Sequence, residues 1–213
     1  VKGPLSRPAV EVAGDVTEGR AMFEGYVRDD GRRHGFPWEV TGMSARVTYT
    51  GGRRVEFEAD GVHGAARVHA RGSLDYTTGD EQPEVSLTAT DVPFDAALRA
   101  AFQDRAERVF DRWNPSCTAA KIELRILRDP HADGPFGEVT EVTISLDGRA
   151  SLTPRLLPVP FGGVRGKIQV LYPSRGDHRA ERVKLLDLRA SGGGVDLHVD
   201  GRVDTDRRVA DDD

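Results

Sequence analysis

Cysteine occurs once, at Cys117, so the chain can form no internal disulfide and no cysteine-rich metal site. Aromatic residues make up only 7% of the sequence, which leaves a core to be filled mainly by Val, Leu, Ile and Ala. No run of roughly 18 apolar residues is present, so no membrane-spanning helix is expected. The opening VKGPLSRPAV has neither the apolar stretch of a signal peptide nor an initiating Met, and reads as the start of a piece of something longer. Neither sign of charge is concentrated: 35 acidic and 30 basic residues, net −5, are spread along the chain, so a nucleic-acid partner is not expected.

What the sequence does have is alternation. RVTY (46–49), RVEFEAD (54–60), ARVHARGSLD (66–75), EVSLTAT (84–90), KIELRIL (121–127), EVTISLDG (141–148), GKIQVLY (166–172), RVKLLDLRA (182–190) and GVDLHVDGRVD (194–204) place apolar side chains at every second position. With RAMFEGYVR (20–28) these make about ten strands, each with one apolar and one polar face. Segments rich in Gly, Asp and Pro, such as TGGR (50–53) and PSRGD (173–177), join them through short links that favour antiparallel neighbours. Cys117, just ahead of the strand TAAKIELRI, reads as a small residue at a strand edge.

One segment keeps a different period. From Asp95 to Trp113, the positions Leu98, Ala101, Phe102, Ala106, Val109, Phe110 and Trp113 recur at three- and four-residue steps. Asp95 serves as N-cap and Asn114-Pro115 ends the run, which predicts one amphipathic helix over about 95–113. Its polar face carries mixed charge and is not enriched in Lys or Arg, which argues for a cover on the sheet over a membrane-surface helix.

The chain also repeats itself. Gly64, His69, Gly72 and Asp75 recur 129 positions later as Gly193, His198, Gly201 and Asp204. Upstream, Pro37-Trp38 answers Pro160-Phe161, Val40 and Gly42 answer Val164 and Gly166, and Tyr49 answers Tyr172. Residues 20–205 therefore read as a single repeat-built region, with a first block at about 36–75 and a second at about 159–204. Residues 1–19 read as a lead-in and 206–213 as an acidic tail.

About ten strands at about 4.8 Å spacing make a sheet about 50 Å across, and open sheets of that size tend to curl, split or flatten. The expected fold is mainly β: an elongated, curved antiparallel sheet whose apolar face forms a groove, with one helix. Val47, Phe57, Val68, Leu87, Leu124, Ile144, Ile168, Leu185, Val195, Leu197 and Val199 are the candidate groove wall. The alternative is a closed β-sandwich that binds protein or glycan, which the low aromatic content disfavours.

Catalysis and metal binding find little support. In DPHADG, Asp129, His131, Asp133 and Gly134 follow part of a calcium-loop order, but Thr140 stands where the closing Glu belongs. His69 and His198 fall on polar strand faces, and SGGG lacks the Lys of a phosphate loop. No enzyme activity, cofactor or metal is expected.

The order of pieces is itself distinctive: a Pro-aromatic pair, a Val-x-Gly turn, alternating strands, then DVPFDAALRAAF with a following Trp and NPS, and a fresh strand. Over about residues 20–205 this resembles the AsmA-like family, relatives of TamB and of the bridge-like lipid transfer proteins. The resemblance implies a curved sheet whose concave face holds the acyl chains of phospholipid or another long-chain amphiphile. It also implies a place in the bacterial envelope or periplasm, a parent chain anchored in a membrane through other segments, and a role in lipid transport for outer-membrane biogenesis. It brings no catalytic residues.

Overall fold

The computed structural model describes residues 11–27, 33–50, 54–75, 82–101, 110–111, 113–116, 118–128, 138–156, 158–172 and 181–205. Cys117, the DPHADG segment (129–134), residues 102–109 of the helix expected over about 95–113, and residues 206–213 lie outside the described residues. The ten strands are β1 (Glu11–Val27), β2 (Arg33–Thr50), β3 (Arg54–His63), β4 (Ala66–Asp75), β5 (Gln82–Pro93), β6 (Thr118–Arg128), β7 (Glu138–Leu152), β8 (Phe161–Tyr172), β9 (Glu181–Gly192) and β10 (Val195–Thr205). Helix α1 (Ala96–Ala101) lies between β5 and β6. Each strand pairs antiparallel with its sequence neighbours in one open sheet of order β1 to β10, so the strands do not divide into the two sheets of a sandwich. The structure extends most of the alternating segments, above all 46–49, which becomes β2 from Arg33, and 20–28, where pairing with β2 begins at Glu11 and takes in residues 11–19.

Register carries the alternation across the whole sheet. One row runs Gly61, Val68, Ala89, Ile122, Ile144, Ile168, Leu185, Gly201 from β3 to β10, each directly opposite the next. Because the side-chain period is two, this one register puts the apolar positions of eight strands on the same side. The charged positions between them form the other side.

A line of backbone irregularities bends the sheet. Glu18 in β1, Gly42 in β2, Asp91 in β5, Gly148 in β7, Gly163 and Gly166 in β8 and Asp187 in β9 all take positive φ. Register shifts accompany those in β1, β2, β7, β8 and β9, as expected of bulges. Asp91, at φ 53°, has the same effect in β5: Val92, three residues after Ala89, returns to the apolar face and is buried with it.

Beyond this line, at the end of the sheet bearing α1, the apolar side closes into a core. Trp38, Ala66, Val68, Ala89, Val92 and Ala119 pack with Leu98, Ala101 and Phe110, and Ile144 and Leu146 lean against them. One cluster thus joins strands from β2 to β7, which requires the sheet to curve around α1. A second cluster of Ala150, Phe161, Val164 and Ala190 continues it through β9.

The helix begins as its sequence dictates. Asp95 Oδ1 accepts from Leu98 N at 2.9 Å and the Asp95 carbonyl accepts from Arg99 N at 2.9 Å. Asn114, at positive φ, donates its N–H to the Phe110 carbonyl at 2.8 Å and stops the run where Asn-Pro predicted. Trp113 departs from expectation: assigned to the apolar face by periodicity, it is 51% exposed. The left-handed Asn114 that follows carries the chain away toward the Ser116–Ser151 bridge, and Trp113 lies outside the packed cluster.

The repeat is visible as matching hairpins. The β3–β4 turn at Gly64 and the β9–β10 turn at Gly193 have φ of 57° and 58°. Trp38 and Phe161, the aromatic members of the two Pro-aromatic pairs, are both buried. His69 and His198 both hold a carboxylate one strand back, Asp60 and Asp187, each at 2.9 Å.

Candidate functional site

All eleven candidate wall residues lie on one side. Val47 faces Phe57, Phe57 faces Gly72 four residues along from the Val68 pair, and Leu87 faces Leu124. Ile144, Ile168 and Leu185 follow in the continuous row, and Val199, Leu197 and Val195 face Leu188, Ala190 and Gly192. Opposite Val199 and Gly201 the extra residue lies in β9, between Leu185 and Leu188, and keeps both leucines on that side.

Their burial is graded. Val68 is buried beneath the helix end, Phe57, Leu87, Leu124, Ile144, Ile168, Leu185 and Val199 are half-buried, and Val47, Val195 and Leu197 are exposed. Val12, Val16 and Tyr49 on the same face of β1 and β2 are also exposed. The result is an apolar trough, roofed at one end by α1 and open along the rest.

Small residues shape its floor near β3 and β4. A Cβ at Gly72 would stand 2.9 Å from Phe57 Cζ, and one at Gly61 would stand 2.5 Å from Val40 Cγ1, so these glycines let large neighbours lie flat across them. Trp38 closes the roofed end: its ring stacks on His63 at 4.3 Å, while His63 Nδ1 contacts the Glu39 carbonyl at 2.6 Å. Trp38 Nε1 is buried without a hydrogen-bond partner.

The opposite face is a lattice of exposed ion pairs. Arg46 meets Asp15, Arg54 meets Glu56, Lys121 meets Glu123, and Arg149 meets both Asp91 and Asp147. The backbone N–H of Arg149, followed by its guanidinium, holds the Asp147 carboxyl below the usual carboxylate range. The hydrogen bond from Arg189, aided by the Arg189 and His198 charges, does the same for Asp187. Both carboxylates are solvent-exposed, so these contacts fix side-chain geometry and add little stability. A shallow cleft on this face, lined by Ser44, Asp60, Arg67, His69, Thr88 and Thr90, is open to solvent.

Among the described residues no group of three or more His, Cys, Asp or Glu is set to hold a metal, and no helix is long and apolar enough to cross a membrane. The alternation places the eleven residues on one strand face and the sequence expects the helix as a cover on the sheet, but that Trp38 belongs to the helix cluster could be read only from three-dimensional curvature. Comparison of the chain with family models, curated proteins and solved structures yields no match, so the trough is interpreted from its own geometry.

Proposed function

We propose that the chain is a non-enzymatic lipid-binding segment, holding the acyl chains of a phospholipid or similar amphiphile along its apolar face. One observation carries this reading: an apolar wall continuous across the strands, which α1 covers only at one end. Monomeric proteins rarely leave large contiguous apolar surface open to water without a use for it. The wall is mostly aliphatic, which suits flexible chains that bind by area and not by directional contacts. The charged opposite face keeps such a segment in water while the trough is loaded. In this reading the parent protein is an AsmA-like lipid transporter of a bacterial envelope, reaching the membrane through other parts of its chain.

Uptake of a fluorescent fatty-acyl probe is the test. Ile144→Asp, at the centre of the row, is expected to cut probe affinity by tenfold or more, since it replaces apolar wall worth roughly 1.5–3 kcal/mol when covered. Circular dichroism checks that the variant remains folded. Wild-type protein that takes up no probe would rule the proposal out.

A further inference from the structure

We infer that the outer edge of β10 recognises itself: a second copy of this chain adds its own β10 antiparallel to it, about a two-fold axis at Val199, and joins the two apolar faces into one. Such pairing is independent of what the trough holds.

β1 and β10 are the two edges of the open sheet, and among the described residues nothing pairs with the far side of either. An unpaired edge presents a row of N–H and C=O groups that templates another strand, and proteins blunt such edges with bulges, Lys, Pro or inward charges. β1 is blunted in this way, since Glu18 takes positive φ and four register shifts break its course. β10 is not. VDLHVDGRVDT has no Lys, no Pro and no residue of positive φ, and its one register shift puts the extra residue in β9. Its apolar-face positions, Val195, Leu197, Val199, Gly201 and Val203, are all uncharged.

The sequence of this edge is complementary to itself. Antiparallel pairing about Val199 sets Asp196 across from the partner's Arg202, His198 across from the partner's Asp200, and Leu197 across from the partner's Gly201, each contact made twice. Unlike charges directly opposite one another stabilise a sheet. His198 Nε2 is held by Asp187 at 2.9 Å, and Asp200 Oδ1 accepts the Asp187 N–H at 3.1 Å, which leaves His198 Nδ1 and Asp200 Oδ2 for the contact between copies. On the apolar face Leu197 is exposed, and a Cβ at Gly201 would meet nothing within 4 Å, so the space over the partner's Gly201 admits the leucine. Phe57 lies across Gly72 in the same manner within the sheet.

Other registers lose the match. A slide of one residue sets the apolar face of one copy against the charged face of the other. A slide of two sets Asp196 against Asp200, or Asp200 against itself and His198 against Arg202. A slide of four sets Gly201 against itself and Asp196 against Asp206, or runs the ladder into the Gly193-Gly194 turn. Joining β10 head-to-tail to β1 brings together two mostly acidic rows, Asp196, Asp200 and Asp204 on one strand and Glu11 and Asp15 on the other.

Sedimentation velocity over a range of protein concentrations tests this. A monomer–dimer equilibrium that stops at the dimer is expected. Asp196→Arg and Arg202→Asp should each raise the dimer dissociation constant about tenfold or more, because each turns two attractions into two repulsions. Mixing the two variants should restore a dimer as tight as wild type, since every pair across that heterodimer is again of unlike sign; the same recovery shows that both variants are folded. Asp15→Asn, on the β1 edge, should leave the dimer unchanged. A monomer at all concentrations, an open series of larger species, single variants that dimerise like wild type, or single variants that stay apart when mixed would each overturn the inference. A dimer with this charge dependence in a protein that takes up no acyl probe would support the edge and count against the lipid-binding reading alone.

Discussion

Leu98→Asp is expected to destabilise the protein severely, while Leu197→Asp leaves it folded and less able to carry an amphiphile. Both substitutions put a carboxylate on the apolar side, and the difference lies in where that side is covered. Leu98 is 2% exposed, in the cluster that joins α1 to the strands from β2 to β7. A carboxylate there has no partner and no water, so the expected loss is at least about 3 kcal/mol out of a typical total of about 5–15 kcal/mol. For a chain of this size that corresponds to a fall in melting temperature of about 10 °C. Leu197 is 41% exposed on the edge strand β10, and its Asp can turn into solvent at a cost of roughly 1 kcal/mol or less. Thermal melts by circular dichroism, beside acyl-probe uptake for both variants, check this. Equal destabilisation by the two substitutions would mean that the trough is closed where the structure has it open.

This gradation was only partly legible in the sequence. The strands were: alternation at 54–60, 66–75, 84–90, 121–127 and the other segments marked them, and a one-residue slip anywhere would have turned a charged face inward. The common face of the eleven wall residues follows from the same periodicity. The bend did not show, because three of its positions are Glu18, Asp91 and Asp187, residues with a Cβ that take positive φ here and carry no glycine to flag them. Their conformations are imposed by register against neighbouring strands, which local sequence does not encode. Leu186 was missed for the same reason: in RVKLLDLRA it reads as one apolar residue among several, and only pairing with Lys167 puts it on the outer face.

Gly192→Ala is the second change expected to have a large effect, and it exposes what the two repeat blocks do differently. Under the 129-residue shift, Gly192 occupies the place of His63. In the first block His63 has room to stack on Trp38. In the second, the Pro160-Phe161 backbone comes so close that a Cβ at Gly192 would stand 2.1 Å from the Pro160 carbonyl oxygen and 3.0 Å from Phe161 Cα. Backbone atoms on both sides must then move, and they carry Phe161, which is 4% exposed at the centre of the second cluster. A loss of about 2–3 kcal/mol is expected, in the range of overpacked cores. Gly64→Ala supplies the contrast, since its Cβ would meet nothing within 4 Å and only the φ of 57° opposes it. Its cost should be about 1 kcal/mol. Denaturant melts of the two variants check the order, and a Gly192→Ala protein as stable as Gly64→Ala would show that the second block packs less closely than described.

The most direct measurement is mass spectrometry on the purified protein, intact under native conditions and then as an organic extract. The expected result is a bound long-chain amphiphile, seen as added mass on the folded protein and recovered as phospholipid or a similar species in the extract. A protein that carries no such molecule, and acquires none when incubated with phospholipid, would contradict the assignment of the open apolar face to lipid.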